Sequence, residues 1–240
     1  MSAVAIAGLR KTYHGTPVFD GLDLTVGRGE TLAILGASGC GKSTVLRCIA
    51  GLTKPDGGSV AVSGEVGYVF QEPRLFPWLT VRQNVAFAAR DAVELARVDE
   101  VIALVGLEAA ADRLPKALSG GMAQRAALAR TLVRSPEIIL LDEPLAALDA
   151  LKRIELRAAL AQIVAASGAT AILVTHDIDE ALDLANRVVV LGGSPSRIVA
   201  TQVRGGIPAV DRQALLAALG VLTSAQARSE PRRSLEGRTP

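Results

Sequence analysis

The residues with the clearest chemistry are Gly36-Ala37-Ser38-Gly39-Cys40-Gly41-Lys42-Ser43, which fit the pattern G-x-x-x-x-G-K-[ST] of a phosphate-binding loop. Glycines let the backbone turn so that successive N–H groups face one anion. A helix beginning at Lys42 and Ser43, with Thr44 behind them, adds the partial positive charge of its N-terminus. Lys42 is placed to reach the β- and γ-phosphates of a nucleotide, and the Ser43 hydroxyl to ligate Mg²⁺. The flanks agree, since the apolar run Thr31–Leu35 reads as a strand entering the loop. A glycine-rich turn that matched by coincidence would not need both flanks.

A second constellation lies 100 residues beyond Lys42. Ile138-Ile139-Leu140-Leu141-Asp142-Glu143-Pro144 is an apolar strand that ends in two acids. Ligands of a parallel sheet gather at the carboxyl ends of its strands. Asp142 is therefore expected to face the metal through water. Glu143 is expected one step nearer the γ-phosphate, where it orients or deprotonates an attacking water. The plainer reading, a solvated acidic turn before a helix, loses ground beside a phosphate loop.

Leu118-Ser119-Gly120-Gly121-Met122 opens an amphipathic stretch that ends near Val133. Ser119 as N-cap, followed by two glycines, exposes backbone N–H groups at a helix start and makes a second anion site. One nucleotide needs only one cradle. The spare site makes sense if it covers the γ-phosphate held by another copy of the chain.

These groups need a scaffold that brings strand ends together. Thr31–Leu35, Ile138–Leu141, Thr170–Val174 and Arg187–Leu191 are short, continuous apolar runs suited to strands buried on both faces. Helical patterns over Lys42–Ala50, Met122–Val133 and Leu151–Ala166 lie between them. The layout predicts an α/β fold with a mostly parallel sheet and helices on both sides. Val4–Leu9, Val18–Phe19 and Leu22–Val26 are strand-like pieces separated by Gly and Pro, which predict an antiparallel β edge at the N-terminus. From about residue 72 to 135 helical signals dominate, as for a helical subdomain inserted in the core. Residues 1–220 are read as one domain, and 221–240, rich in Arg, Ser and Pro, as a flexible tail.

Composition narrows the function. The 240 residues are 50% hydrophobic with a formal charge of +2. Arg228, Arg232, Arg233 and Arg238 against Glu230 and Glu236 account for that excess, so the remaining chain is formally neutral. A neutral body argues against a nucleic-acid partner, which calls for a basic face. Met1–Arg10 has no charged lead before an apolar stretch, so no signal peptide is expected. Ala158–Thr175 is free of charge over 18 residues, but Ser167-Gly168 reads as a loop between a helix and a strand rather than part of a membrane span. Cys40 and Cys48 have no metal-site spacing and are expected as reduced thiols.

In this order and spacing the motifs resemble the ATP-binding cassette family, and the resemblance covers nearly the whole chain. It implies a P-loop NTPase core, ATP and Mg²⁺ as cofactors, and an ATPase whose two copies sandwich two nucleotides. Ser119, Gly120 and Gly121 then belong to the family's signature motif, which usually ends in Gln where this chain has Met122. Tyr13 resembles the aromatic residue that stacks on adenine, although an ordinary edge-strand tyrosine is the competing reading. Gln71 resembles the glutamine that contacts Mg²⁺ and senses the γ-phosphate. Asp149, in Ala147-Leu148-Asp149, resembles the loop that acts across the dimer. His176, at a strand end beside Asp177, resembles the switch histidine that touches the γ-phosphate. Lys42, Glu143 and His176 are thus the expected catalytic residues, and Ser43, Gln71 and Asp142 the expected metal-binding ones.

Four of the seven aromatic residues fall in Tyr68–Trp78, YVFQEPRLFPW. Leu75, Phe76 and Trp78 either anchor a partner or fill the core between two lobes. The strings VFQEPRLFPWLTVRQNVAF and THDIDEALDLANRVVVLGGSPSRIV resemble importer subunits for nitrate, sulfonate, taurine and bicarbonate. That resemblance implies a transmembrane permease, an indirect link to a solute-binding protein, and a peripheral place on the cytoplasmic face of the inner membrane. A cassette ATPase of DNA repair or translation is the alternative. Such families carry long coiled-coil inserts or two cassettes per chain, which a single phosphate loop in 240 residues does not match.

Overall fold

The structure, a computed structural model, describes residues 2–146, 150–203 and 208–220. The chain opens with two long strands, β1 (Ser2–Tyr13) and β2 (Thr16–Gly27). β3 (Thr31–Gly36) leads into the phosphate loop and α1 (Lys42–Ile49). β4 (Gly57–Val62) and β5 (Val66–Val69) follow. The next stretch is helical: α2 (Val81–Ala86), α3 (Ala92–Ala96), α4 (Val98–Leu104), 3₁₀ turns at Glu108–Ala110 and Pro115–Ala117, and α5 (Gly120–Leu132). The alternating pattern resumes with β6 (Ile138–Asp142), α6 (Ala150–Ser167), β7 (Thr170–Thr175), α7 (Ile178–Leu184) and β8 (Arg187–Gly192). β9 (Arg197–Val203) and α8 (Pro208–Ala218) complete the described elements.

The four apolar runs become neighbouring strands because each has two faces to bury. The larger sheet has the order β5-β6-β7-β3-β8-β9, parallel throughout except between β8 and β9. Successive side chains of a strand point to opposite faces, and the core divides accordingly. Leu32, Ile34, Ile138, Leu140, Ile172, Val174, Val189 and Leu191 join one cluster with α1, β1 and β2. Ala33, Leu35, Ile139, Leu141, Ala171, Leu173, Val188 and Val190 join the other, with residues of α2, α4, α5, α6 and α7. A strand buried on both sides has no room for polar alternation, which is why these segments read as unbroken apolar runs.

The N-terminal strands are antiparallel as expected, but they pair in a sheet of their own, in the order β2-β1-β4. The antiparallel edge of the larger sheet is β9. A short turn joins it to β8, and two strands so joined can only run antiparallel. Val4, Ile6, Leu9, Leu22, Leu24 and Val26 turn their apolar face onto the cluster that also holds α1, so the small sheet covers the large one. The uncharged stretch Ala158–Thr175 divides as its Ser-Gly break suggests, into the end of α6 and β7. Among the described residues, no helix is long and apolar enough to cross a membrane. Asp149 and the tail from 221 to 240 lie outside the described residues.

Candidate functional site

Strand order decides which side chains meet. β7 lies between β6 and β3, so the carboxyl ends of three adjacent parallel strands deliver Asp142, Thr175 and Gly36 to one edge. Glu143 and His176 stand one residue past the ends of β6 and β7. The phosphate loop leaves β3 at that edge and turns into α1.

The loop closes around Lys42. Its ammonium donates to the carbonyls of Gly36 at 2.9 Å and Ala37 at 3.1 Å. Cys40 N–H donates to Ala37 O at 3.3 Å. Ala37, Ser38 and Gly39 are exposed, so backbone amides here are open to an anion. Gly41 caps α1 with φ +96°. A Cβ there would lie 2.5 Å from Val18 Cγ1 and 2.6 Å from Phe19 Cζ. Only glycine accepts both the left-handed conformation and that wall. Burial pushes the Cys40 thiol up, against the pull of nearby Lys42. It is a neutral wall of the loop rather than a thiolate. Cys40 and Cys48 are free.

Asp142 is 4% exposed, and both its oxygens are engaged. Ser43 Oγ donates to Oδ1 at 2.7 Å, and Tyr68 OH donates to Oδ2 at 2.7 Å. Burial, and then the bond to Asp142, drive the Tyr68 phenol far above its ordinary pKa. Glu143 has φ +45°, a strained value for a residue with a side chain. Its N–H donates to Val174 O at 3.0 Å, which fixes the turn against β7. The carboxylate spans two neighbours: Oε1 is 3.7 Å from Lys42 Nζ and Oε2 is 3.3 Å from His176 Nδ1. His176 is half-exposed, so its ring faces outward from the edge.

Below His176 lies a buried polar shelf. Asp177 caps α7, accepting from the N–H groups of Asp179 and Glu180. Thr175 Oγ1 accepts from Asp177 N–H at 3.0 Å and donates to Glu180, a buried side chain. Burial pushes the Glu180 carboxyl up to about 7.

The other expected residues lie around this centre. Tyr13 ends β1 as a 39% exposed residue, and Lys11 Nζ sits 5.2 Å from its ring centroid. The β1–β2 hairpin that carries it sets Val18 and Phe19 against Gly41. Gln71 is exposed just past β5. The backbone on either side of it is tied to α5: Gln124 Nε2 donates to Phe70 O at 3.3 Å, and Arg130 donates to the carbonyls of Pro73 and Arg74 at 3.0 and 2.7 Å. Ser119 caps α5, its hydroxyl accepting from Met122 N–H at 3.3 Å. Ser119 and Gly121 border a groove with Glu155 and Leu156 of α6, and Ser119 and Gly120 are exposed.

The Tyr68–Trp78 segment divides by side chain. Leu75 packs on the core, while Trp78 is 70% exposed. Phe76 lies between Trp78 and Phe87, with ring centroids 5.7 and 4.6 Å away. Asn84, fully buried, donates to the carbonyls of Phe76, Leu79 and Thr80 and accepts from Phe76 N–H. That clamp presents the aromatic pair at the surface.

The arrangement offers an exposed amide loop, a lysine, paired hydroxyl and carboxylate oxygens, and a second carboxylate joined to a histidine. Residues 19–146 match the family described as ABC transporter. The chain belongs to this family of ATP-binding, ATP-hydrolysing cassettes. The cassette is 52% identical over 189 residues, 78% of its own length and 80% of the relative's, to the aliphatic sulfonates import ATP-binding protein SsuB 1 of Pseudomonas syringae pv. syringae. The protein of the same name from Xanthomonas axonopodis pv. citri is 48% identical, covering 89% of the cassette and 90% of that relative. Among solved structures, the ATP-binding cassette MJ0796, in a dimeric post-hydrolysis state bound to ADP and Pi, superposes with a TM-score of 0.73. Identity is 30%, covering 85% of this chain and all of that one. The structure of cbiO1 from Clostridium perfringens, part of the ABC transporter complex cbiONQ, gives a TM-score of 0.77 at 29% identity, covering 92% and 95% of the two chains.

Sequence reasoning had no signal for Tyr68 as the partner of Asp142, because the two are 74 residues apart and meet only through the β5–β6 pairing. It also passed over the Glu180 shelf. A lone acid on a short amphipathic helix looks solvent-facing until the helix is docked.

Proposed function

We propose that this cassette is the energising subunit of an importer for aliphatic sulfonates or a similar small organic anion. Two copies close over two Mg-ATP molecules and drive a separate transmembrane permease, fed by a solute-binding protein, from the cytoplasmic face of the membrane. The observation that carries the catalytic part is the contiguous run Lys42–Glu143–His176, at 3.7 and 3.3 Å, beside the Ser43–Asp142 pair. The names and the 44–52% identities of the curated relatives support the importer part.

In this reading Lys42 leaves the carbonyls of Gly36 and Ala37 for the β- and γ-phosphates, exchanging neutral acceptors for charged ones. Amides of Ala37 to Gly41 and the N-terminus of α1 take the remaining phosphate oxygens. Tyr13 stacks on adenine. Ser43 and Asp142 are hard oxygen donors 2.7 Å apart, a set that fits Mg²⁺, with the Gln71 amide oxygen as a third. Mg²⁺ held there would supply Lewis-acid neutralisation of phosphate charge. Glu143 orients a water and accepts its proton as the water oxygen bonds to the γ-phosphorus and the bond to the bridging oxygen breaks. His176 and Lys42 stabilise the transferring phosphoryl group.

Ser119, Gly120 and Gly121 present the start of a 13-residue helix to solvent. In this reading that helix end covers the γ-phosphate of the partner copy, with Asp149 acting across the same boundary. A dimeric state of the related MJ0796 supports it. The exposed Trp78 beside Phe76 supports a docking site for the permease, and the ties from Gln124 and Arg130 give nucleotide state a path to that surface.

Reconstitution with a cognate permease and binding protein in proteoliposomes tests the whole reading. ATP hydrolysis is expected to rise when the binding protein carries an aliphatic sulfonate; no rise with sulfonate, taurine or nitrate refutes the importer assignment. Trp78→Ala is expected to lose co-purification with the permease while binding ATP normally, and undiminished co-purification refutes the docking site.

A further inference from the structure

We infer that the Tyr68 hydroxyl is a positioning donor for the metal site: it holds Oδ2 of Asp142 so that Oδ1 is the oxygen presented to the divalent cation. This rests on the Mg-ATP reading above. Ser43 and Tyr68 each donate to a different oxygen of one buried carboxylate, both at 2.7 Å. The two bonds differ in permanence. When the Ser43 oxygen turns to a cation, its proton must point away, and Oδ1 becomes free to face the cation or its bound water. Oδ2 remains in a buried place, where an acceptor without a donor is costly. Tyr68 supplies that donor from a strand the cation does not touch.

The fold makes Tyr68 a stiff support. Its strand β5 is hydrogen-bonded to β6, with Tyr68 opposite Leu140, two residues before Asp142. Its ring packs on Phe70 with centroids 4.4 Å apart. Thr131 Oγ1 of α5 lies 3.4 Å from its carbonyl, its one proton shared with the nearer Ala127 O at 3.1 Å. The ring cannot swing away without breaking the stack, so the carboxylate plane is fixed from outside the site. Partners that orient a metal ligand in this way typically change metal affinity 10- to 100-fold when lost.

Tyr68→Phe removes one oxygen and keeps the ring on Phe70. Mn²⁺ binding in the presence of ATP, followed by electron paramagnetic resonance, is expected to weaken about 10- to 100-fold. ATP affinity measured in EDTA is expected to stay at the wild-type value, which a general loss of structure would not allow. In an Asp142→Asn background, Tyr68→Phe is expected to cause no further loss of Mn²⁺. Should the phenylalanine variant not fold, 3-fluorotyrosine at position 68 gives a second readout. Its ¹⁹F resonance is expected to move when Mg²⁺ joins the ATP complex. Unchanged Mn²⁺ affinity in Tyr68→Phe, or a silent ¹⁹F resonance, overturns the inference while leaving Mg-ATP binding intact. A wild-type cassette that takes up no Mn²⁺ with ATP refutes the metal reading itself, and this inference with it.

Discussion

Replacing Glu143 by glutamine removes one proton acceptor and one charge while keeping size and shape. The two losses act in opposite directions. A positioned general base contributes about 10²- to 10⁴-fold to a proton-transfer step, or about 3–5 kcal/mol of barrier at 1.36 kcal/mol per tenfold. Turnover is expected to fall by that factor. The charge matters differently. Oε1 lies 3.7 Å from Lys42 Nζ, and the lysine is nearly fully buried. At that spacing, with an effective dielectric of about 20, a Coulombic attraction of about 4–5 kcal/mol holds Lys42 toward the carboxylate. Glutamine releases this hold, so Lys42 is freer for phosphate and ATP affinity is expected to stay equal or tighten. The left-handed backbone at position 143 is the same for either side chain, so a fall in Tm reads the lost charge contacts to Lys42 and His176 rather than backbone strain. Slow turnover with undiminished binding leaves an ATP-bound dimer. Phosphate release measures the first effect, and gel filtration with ATP reveals the second. Turnover within about tenfold of wild type would remove Glu143 from the base role. Weakened ATP binding would refute the assigned pull on Lys42.

Three further outcomes follow from named contacts. Lys42→Ala is expected to weaken ATP binding about 10- to 100-fold, the loss of a charged hydrogen bond worth about 1.5–3 kcal/mol; calorimetry giving an unaltered dissociation constant contradicts the cradle. Gly41→Ala combines a left-handed φ of +96° with contacts of 2.5 and 2.6 Å to Val18 and Phe19. Backbone strain and overpacking together are expected to cost about 2–5 kcal/mol, read as a lowered Tm, and an unshifted Tm would disprove the wall. Burial raises the Glu180 carboxyl from 4.5 to about 7, with Asp177 reinforcing the rise and Thr175, Arg153 and Arg157 opposing it. Between those values the folded chain holds a proton that the unfolded chain has released. Its stabilisation is therefore full below about pH 4.5 and lost as pH rises through about 7, a swing of about 3 kcal/mol. Urea unfolding of Glu180→Gln is expected to lose that swing between pH 5 and pH 8, and identical pH profiles would refute it.

Much of the fold was legible because its strands are doubly buried. Thr31–Leu35, Ile138–Leu141, Thr170–Val174 and Arg187–Leu191 fall within β3, β6, β7 and β8, since a strand covered on both faces must be apolar without interruption. β9 was harder to see. Its alternation of exposed and half-buried residues along RIVATQV is a weak signal. β4 opens with two glycines, which look like a turn. α7 is only seven residues long, and its capping Asp177 became visible as a cap only with the helix in place. For the aromatic segment the sequence left interface and core open. Packing divided it, with Leu75 inward and Trp78 outward, because the Asn84 clamp fixes the turn between them.

By itself the sequence marked the candidate groups: a glycine loop with its lysine, an acidic pair at a strand end, a histidine at another, and a capped helix start. These are local patterns, written in residues that touch one another along the chain. Only the tertiary structure decided that Glu143 stands between Lys42 and His176, that Tyr68 holds the far oxygen of Asp142, and that the N-terminal strands form a separate sheet. Each depends on strand order and on which face a strand buries. Those are settled by packing between segments far apart in the chain, as when Gly29 N–H donates to Thr170 across 141 positions and Arg187 donates to Thr25 O across 162, and no local pattern encodes them.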